Sequence, residues 1–174
     1  MIFARFFKMT LAALLLFHSA QPYAVQDNLH YTGRLISIPC KIDTSNIEVS
    51  FDTIESSELY TNQRTENVPF SIILSGCNTT VSSLVNITFS GQETANPEGF
   101  LEVTGEASGI MIGMENAGGV LLPLNQPVGA QSIVTGSNTY DFFAFVQGKP
   151  ANIQNKTIVP GNFNAVAMFV IQYQ

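Results

Sequence analysis

The chain has 174 residues, thirteen acidic and seven basic side chains for a formal charge of −6, no tryptophan and 45% hydrophobic residues. At about 150 residues per domain that length describes one domain, and so apolar a composition excludes a disordered chain. From Val25 onward the only basic residues are Arg34, Lys41, Arg64, Lys149 and Lys156, and an acidic surface with scattered cations excludes nucleic acid and anionic membrane as partners.

Arg5 and Lys8 precede an apolar run over 9–17, which gives way to small residues including Ala20 and Ala24. A basic start, a short apolar stretch and a small-residue exit fit a secretory signal peptide over 1–24, with cleavage after Ala24 or, alternatively, Ala20. A membrane-spanning helix needs about 20 apolar residues, and neither this run nor any later one reaches that length. No integral membrane segment is expected after removal of the signal. Export makes Cys40 and Cys77, the only cysteines, readable as a disulfide. Closing a loop of that length stabilises the fold by about 4 kcal/mol in the chain-entropy model. There is no CxxC motif, and His30 is the one histidine beyond the signal, so a zinc site lacks ligands and no cofactor is expected.

Beyond the signal the chain reads as short strands separated by Gly, Pro and Asn turns. Leu29, Tyr31, Gly33 and Leu35 alternate with His30, Thr32 and Arg34, and Ile47, Val49 and Phe51 alternate with Glu48 and Ser50. Further strands are expected over 68–74, 84–89, 100–103, 109–114, 120–124 and 139–146. No window offers a capped amphipathic helix of three turns. Many short strands with turns between them predict an all-β sandwich or barrel, and no repeat or linker marks a second domain.

The last thirteen residues, 162–174, read as one strand. Phe163, Ala165, Ala167, Phe169, Ile171 and Tyr173 share one face, and Val166, Met168 and Val170 share the other. A strand apolar on both faces lies inside a sheet or borders something hydrophobic, yet no later strand exists to cover its edge. An uncovered apolar edge is an aggregation hazard. The alternating stretch near residue 30 precedes the first cysteine and has no evident hairpin partner. Two readings stand at this point: the N-terminal strand folds back on its own chain, or it is exchanged between subunits as a form of β-augmentation.

These residues resemble one family, the pilus subunits of the bacterial chaperone–usher pathway. The resemblance covers the whole chain after the signal. It rests on the alternating extension containing Gly33, on Cys40, on Cys77 after an apolar strand, and on Gly161, fourteenth from the end, followed by alternating apolar residues and penultimate Tyr173. Three stretches, LHYTGRL at 29–35, GFLEVTG at 99–105 and VPGNF at 159–163, look most like minor subunits of P-type pili, above all the adaptor that joins rod to tip fibrillum.

The resemblance implies an immunoglobulin-like β-sandwich lacking its seventh strand, completed by a strand lent by a periplasmic chaperone and later by the next subunit. It implies a donor extension over 25–36, with Leu29, Tyr31, Gly33 and Leu35 inserting, and a pilin domain over 37–174. The receiving edge would run through Gly161, Phe163, Ala165, Ala167, Phe169, Ile171 and Tyr173 to Gln174, whose carboxylate the chaperone holds. An outer-membrane usher and neighbouring subunits complete the implied partners, and the protein would pass through the periplasm to a cell-surface fimbrium serving adhesion. Asp27 departs from the pattern, because an unpaired carboxylate is costly in an apolar groove, and it is expected outside the deepest pockets.

Other chemistry finds little support. His30 is the lone candidate base for a nucleophile, and there is no GxSxG elbow or phosphate-cradling loop. Glu102 with Glu106, or Glu48 with Asp52, would be the carboxylate pairs for glycoside hydrolysis, but they read as dispersed surface acids. No enzyme is expected. A carbohydrate-binding tip adhesin of the same pathway would carry an additional lectin domain and no donor extension, and a chain-terminating subunit would differ in its groove.

Overall fold

The computed structural model describes residues 30–35 and 37–174, which fall in two units, residues 1–36 and 37–174. The signal segment 1–24, Asp27 and Leu29 lie outside the described residues. In the first unit, residues 30–35 carry no strand and all are exposed, Tyr31 at 83% and Leu35 at 101% of its reference area.

The second unit is a sandwich of two antiparallel sheets. Its elements are β1 (Lys41–Ile42), α1 (Ser56–Asn62), β2 (Val68–Cys77), β3 (Leu84–Gly91), β4 (Leu101–Glu102), β5 (Thr104–Gly105), β6 (Ile110–Asn116), β7 (Pro127–Ser132), β8 (Gly136–Gly148), α2 (Pro150–Asn155), β9 (Phe163–Asn164) and β10 (Ala167–Tyr173). One sheet has the order β1-β2-β8-β6-β4, the second β10-β3-β7, and β5 with β9 forms a separate two-stranded ribbon. The long β8 is central, pairing with β2 on one side and β6 on the other.

Period-two alternation drives this arrangement. Along β3, Val85, Ile87 and Phe89 are buried while Asn86, Thr88 and Ser90 face outward. Ile72 and Leu74 of β2, Ile112 and Met114 of β6 and Val146 of β8 meet them across the sandwich, so each strand contributes one apolar face to the shared core. Phe89 stands edge-on to Phe70 and Phe142, with ring centroids 5.9 Å and 5.1 Å away, an arrangement that aligns ring edges with ring faces. Cys40 and Cys77 are bonded and buried, tying the start of β1 to the end of β2.

The structure differs from the sequence expectations in several places. The C-terminal run is not one strand. It pairs first with β5 as β9, breaks at Ala165 and Val166, and then pairs with β3 as β10. Of the two placements open to a strand apolar on both faces, β10 takes the edge among the described residues, with Met168 66% exposed. The stretch 120–124 buries Leu122 and Leu124 but makes only an isolated bridge, Leu121 to Glu115, so burial there is achieved without a ladder. The β7 strand has little β propensity, with Pro127 and Gly129 inside it, and forms because β3 offers it a ladder. Helices α1 and α2 are two turns or less. Pro150 opens α2, where its missing N–H costs nothing, and Lys156 closes it in the left-handed region at φ 54°.

A second, smaller apolar cluster of Phe100, Met111 and Phe145 borders a charged network. Arg64 stacks 3.5 Å above the Phe145 ring and donates from Nη1 to Glu115 Oε2 at 2.9 Å, while Asn67 bridges the two. The Arg64 hydrogen bond holds the Glu115 carboxyl below its ordinary 4.5, against the opposing effect of burial. A depressed carboxyl pKa stabilises the folded state above the unfolded value, and that contribution is lost as pH falls through the folded value. The melting temperature of the wild-type protein is therefore expected to fall more steeply below pH 4.5 than that of Glu115→Gln, which at neutral pH costs about 1–3 kcal/mol. Parallel melting curves of the two proteins across pH 3–7 would disprove the assignment.

Candidate functional site

After Ile42 the chain stops pairing with β2, its last links being Asp43 N–H to the Ile73 carbonyl and Ile73 N–H to Thr44 Oγ1, both at 3.0 Å. Residues 45–54 then run on with Ile47, Val49, Phe51 and Ile54 turned toward the core and Glu48, Ser50 and Asp52 outward. This is strand-like burial, yet among the described residues no backbone hydrogen bond joins 45–54 to any other segment. Buried or half-buried peptide groups are normally paired. A ten-residue extended wall without a ladder is therefore an unfinished piece of sheet.

The other unfinished edge is β10, which pairs with β3 on one side and with nothing on the other among the described residues. Between the two edges lies a groove of about 720 Å³. Ile47, Val49 and Phe51 line one wall, and residues 160–165 with Ala167, Met168 and Phe169 line the other. Its floor is the sandwich core itself: Phe70, Phe89, Leu101, Ile112, Met114 and Ala144. The rings of Phe51 and Phe163 approach to 6.2 Å across it. Glu48 and Asp52 stand on its rim, and no Lys, Arg or His is among its lining residues.

Gly161, Phe163, Ala165, Ala167 and Phe169 all line this groove. Ile171, Tyr173 and Gln174 do not. Ile171 and Tyr173 continue β10 beyond the groove and pack on the core, Gln174 follows the strand's end, and Tyr173 O–H reaches the Cys40 carbonyl at 3.5 Å. Gln174 N–H donates to the Leu84 carbonyl at 3.0 Å, and the Ser82 hydroxyl donates to the Gln174 main-chain oxygen. Burial raises the Tyr173 phenol pKa, consistent with its tucked position. Gly161 has a steric role: a Cβ there would lie 2.6 Å from Glu106 Cβ and 2.9 Å from Ala107 N. That close approach lets Asn162 O accept from the Glu106 and Ala107 amides at 2.8 Å and 3.2 Å, which holds the groove's second wall in place.

Tyr31, Gly33 and Leu35 belong to the other unit and are exposed, and Leu29 lies outside the described residues. Gly33 is not in the left-handed region, and a Cβ placed on it would meet nothing within 4 Å. Residues 30–35 form no ladder with any strand among the described residues. The wall formed by 45–54 is absent from the site read from sequence, although its alternation is visible there; apolar on one face only, it alternates as a paired strand does, so its lack of a partner leaves no mark. Glu102 is not a member of a carboxylate pair but is bonded to Lys149 Nζ at 2.5 Å. Among the described residues no group of three or more His, Cys, Asp or Glu is placed to hold a metal ion, and no helix is long and apolar enough to cross a membrane.

The fold is thus a β-sandwich whose core lies open along a groove between two edges that are unpaired among the described residues. The family model of fimbrial proteins matches residues 29–174, and the chain belongs to that family. It is 33% identical over 147 residues to the major MR/P fimbria protein of Proteus mirabilis strain HI4320, covering 83% of this chain and 82% of that one. It is 32% identical over 172 residues to the fimbrial adapter PapK of Escherichia coli, covering 93% and 97%. Among solved structures, the P pilus rod subunit PapA matches with a TM-score of 0.70 at 22% identity, over 79% of this chain and 100% of that one. The fold is the incomplete immunoglobulin-like sandwich of the pilins among those solved structures, and by its family the chain is a fimbrial protein.

Proposed function

We propose that this chain is a minor, adaptor-type structural subunit that is completed by donor-strand exchange. The observation that carries the reading is the groove between 45–54 and β10, whose two walls offer unpaired backbone to an incoming strand. In this reading residues 1–24 direct export and are removed, 25–36 form the donor extension, and 37–174 form the receiving domain. A periplasmic chaperone first fills the groove and holds the Gln174 carboxylate, the outer-membrane usher receives the complex, and the extension of a neighbouring subunit then replaces the chaperone's strand at the cell surface. The adaptor rank is supported by the likeness to PapK over nearly the full length of both chains. Fimbriae built this way mediate adhesion through the assembled fibre.

Leu29, Tyr31, Gly33 and Leu35 are the donor residues, and Gly33 tests them. Its surroundings in this chain are empty, so a side chain there harms only the subunit that receives it. Gly33→Leu is expected to fold, to co-purify with its chaperone like wild type, and to be absent from assembled fimbriae. Overpacking a filled site costs about 1–3 kcal/mol, enough to lose the exchange against a competing strand. Quantitative blotting of sheared fimbriae and of the periplasmic complex measures both stages. Assembly of Gly33→Leu at the wild-type level would refute the donor assignment.

A further inference from the structure

The groove's rim carries a charge pattern that matches the chain's own extension. On the wall 45–54 the outward residues are Glu48, Ser50 and Asp52, all exposed. The groove lining holds no cation to neutralise the two acids. In the extension the residues alternating with Tyr31, Gly33 and Leu35 are His30, Thr32 and Arg34. The acids stand four residues apart, and so do the histidine and the arginine, with a hydroxyl midway in each stripe.

We propose that the groove accepts the extension of a second copy of this chain, selected by these two stripes; the proposal rests on the donor-strand reading above. Directly opposed residues on adjacent strands lie within side-chain reach. With Thr32 opposite Ser50, His30 and Arg34 fall opposite Glu48 and Asp52 whichever way the strand runs. The same register turns Tyr31, Gly33 and Leu35 toward the floor, because the two faces of a strand alternate. On the other side the incoming strand borders the outward face of β10, where Met168 and Val170 are exposed and uncharged. The aliphatic stem of Arg34 covers such a surface while its guanidinium stays at the acidic rim. A subunit selected in this way stands in a short run of copies at its joint in the fibre, not as a single copy.

The test uses the full mature chain released from its chaperone, with multimer formation followed by size-exclusion chromatography at fixed ionic strength. The wild-type chain is expected to form a ladder of multimers. Arg34→Glu, and separately Glu48→Lys with Asp52→Lys, are each expected to slow the ladder at least about fivefold, and their combination to restore it. All these positions are exposed; should a reversal fail to fold, Arg34→Ala and Asp52→Asn test the same stripes with smaller losses. No ladder from the wild-type chain, unchanged rates in the variants, or no rescue in the combination would overturn the proposal. Phe169→Asp separates the two readings. If it blocks chaperone capture while the charge variants behave like wild type, only the match between copies falls. If it leaves capture intact, the groove assignment falls as well.

Discussion

Phe169→Asp is expected to abolish capture by the chaperone while leaving a domain that still folds. Phe169 lies on β10, half-buried, and lines the groove opposite 45–54. With the groove empty, an aspartate there keeps access to water, so the isolated domain loses only part of the phenylalanine's packing. With the groove filled, the same carboxylate is enclosed between an apolar strand and the core with no cation among the lining residues. Removing a fully packed phenylalanine costs about 3–5 kcal/mol, and an unpaired carboxylate in its place adds its own desolvation. The filled state therefore loses more than the empty one, and binding is lost before folding. Co-purification of Phe169→Asp with the chaperone at the wild-type ratio would contradict this.

Cys77→Ser is expected to lower the yield of folded subunit severely. The bond spans 37 residues of sequence, which in the chain-entropy model stabilises the fold by about 4 kcal/mol. For an unfinished sandwich that is a large share of a total that is modest even in complete domains, about 5–15 kcal/mol. The location adds to the effect. Cys40 lies just before the unpaired wall, and its carbonyl receives the Tyr173 hydroxyl from the far end of β10, so the bond steadies the approaches to both groove walls. The measurement is the folded fraction in periplasmic extracts together with the midpoint of urea unfolding. A midpoint within error of wild type would remove the disulfide from the account of stability.

Much of this architecture was legible in residue order. Alternation located β3, which buries one face, whereas β2, β6 and β8 were found as apolar runs between turns; β6 is buried from Ile110 to Glu115, so no period of two could mark it. The doubly apolar C-terminus pointed to an edge in need of a partner, and that edge is β10. What was not legible were features fixed by distant chain segments. The break at Ala165 and Val166 exists because Phe163 and Asn164 pair with β5 before the chain moves over to β3. β7 exists because β3 has a free side, despite a proline and a glycine in its sequence. The groove's first wall shows the sharpest limit. Ile47, Val49 and Phe51 alternate just as a paired strand would, and only the three-dimensional arrangement reveals that their backbone has no partner among the described residues.

On the donor-strand proposal, that wall, unpaired among the described residues, also divides the labour of recognition. Peptide N–H and C=O groups are the same in every chain, so the bonds that 45–54 and β10 offer are indifferent to the sequence of whatever strand arrives. They supply tenacity without choice. Selection would fall instead to the few positions where a visitor's side chains meet something particular, the apolar floor below and the acids on the rim above. Affinity and discrimination thus reside in different atoms of the same groove.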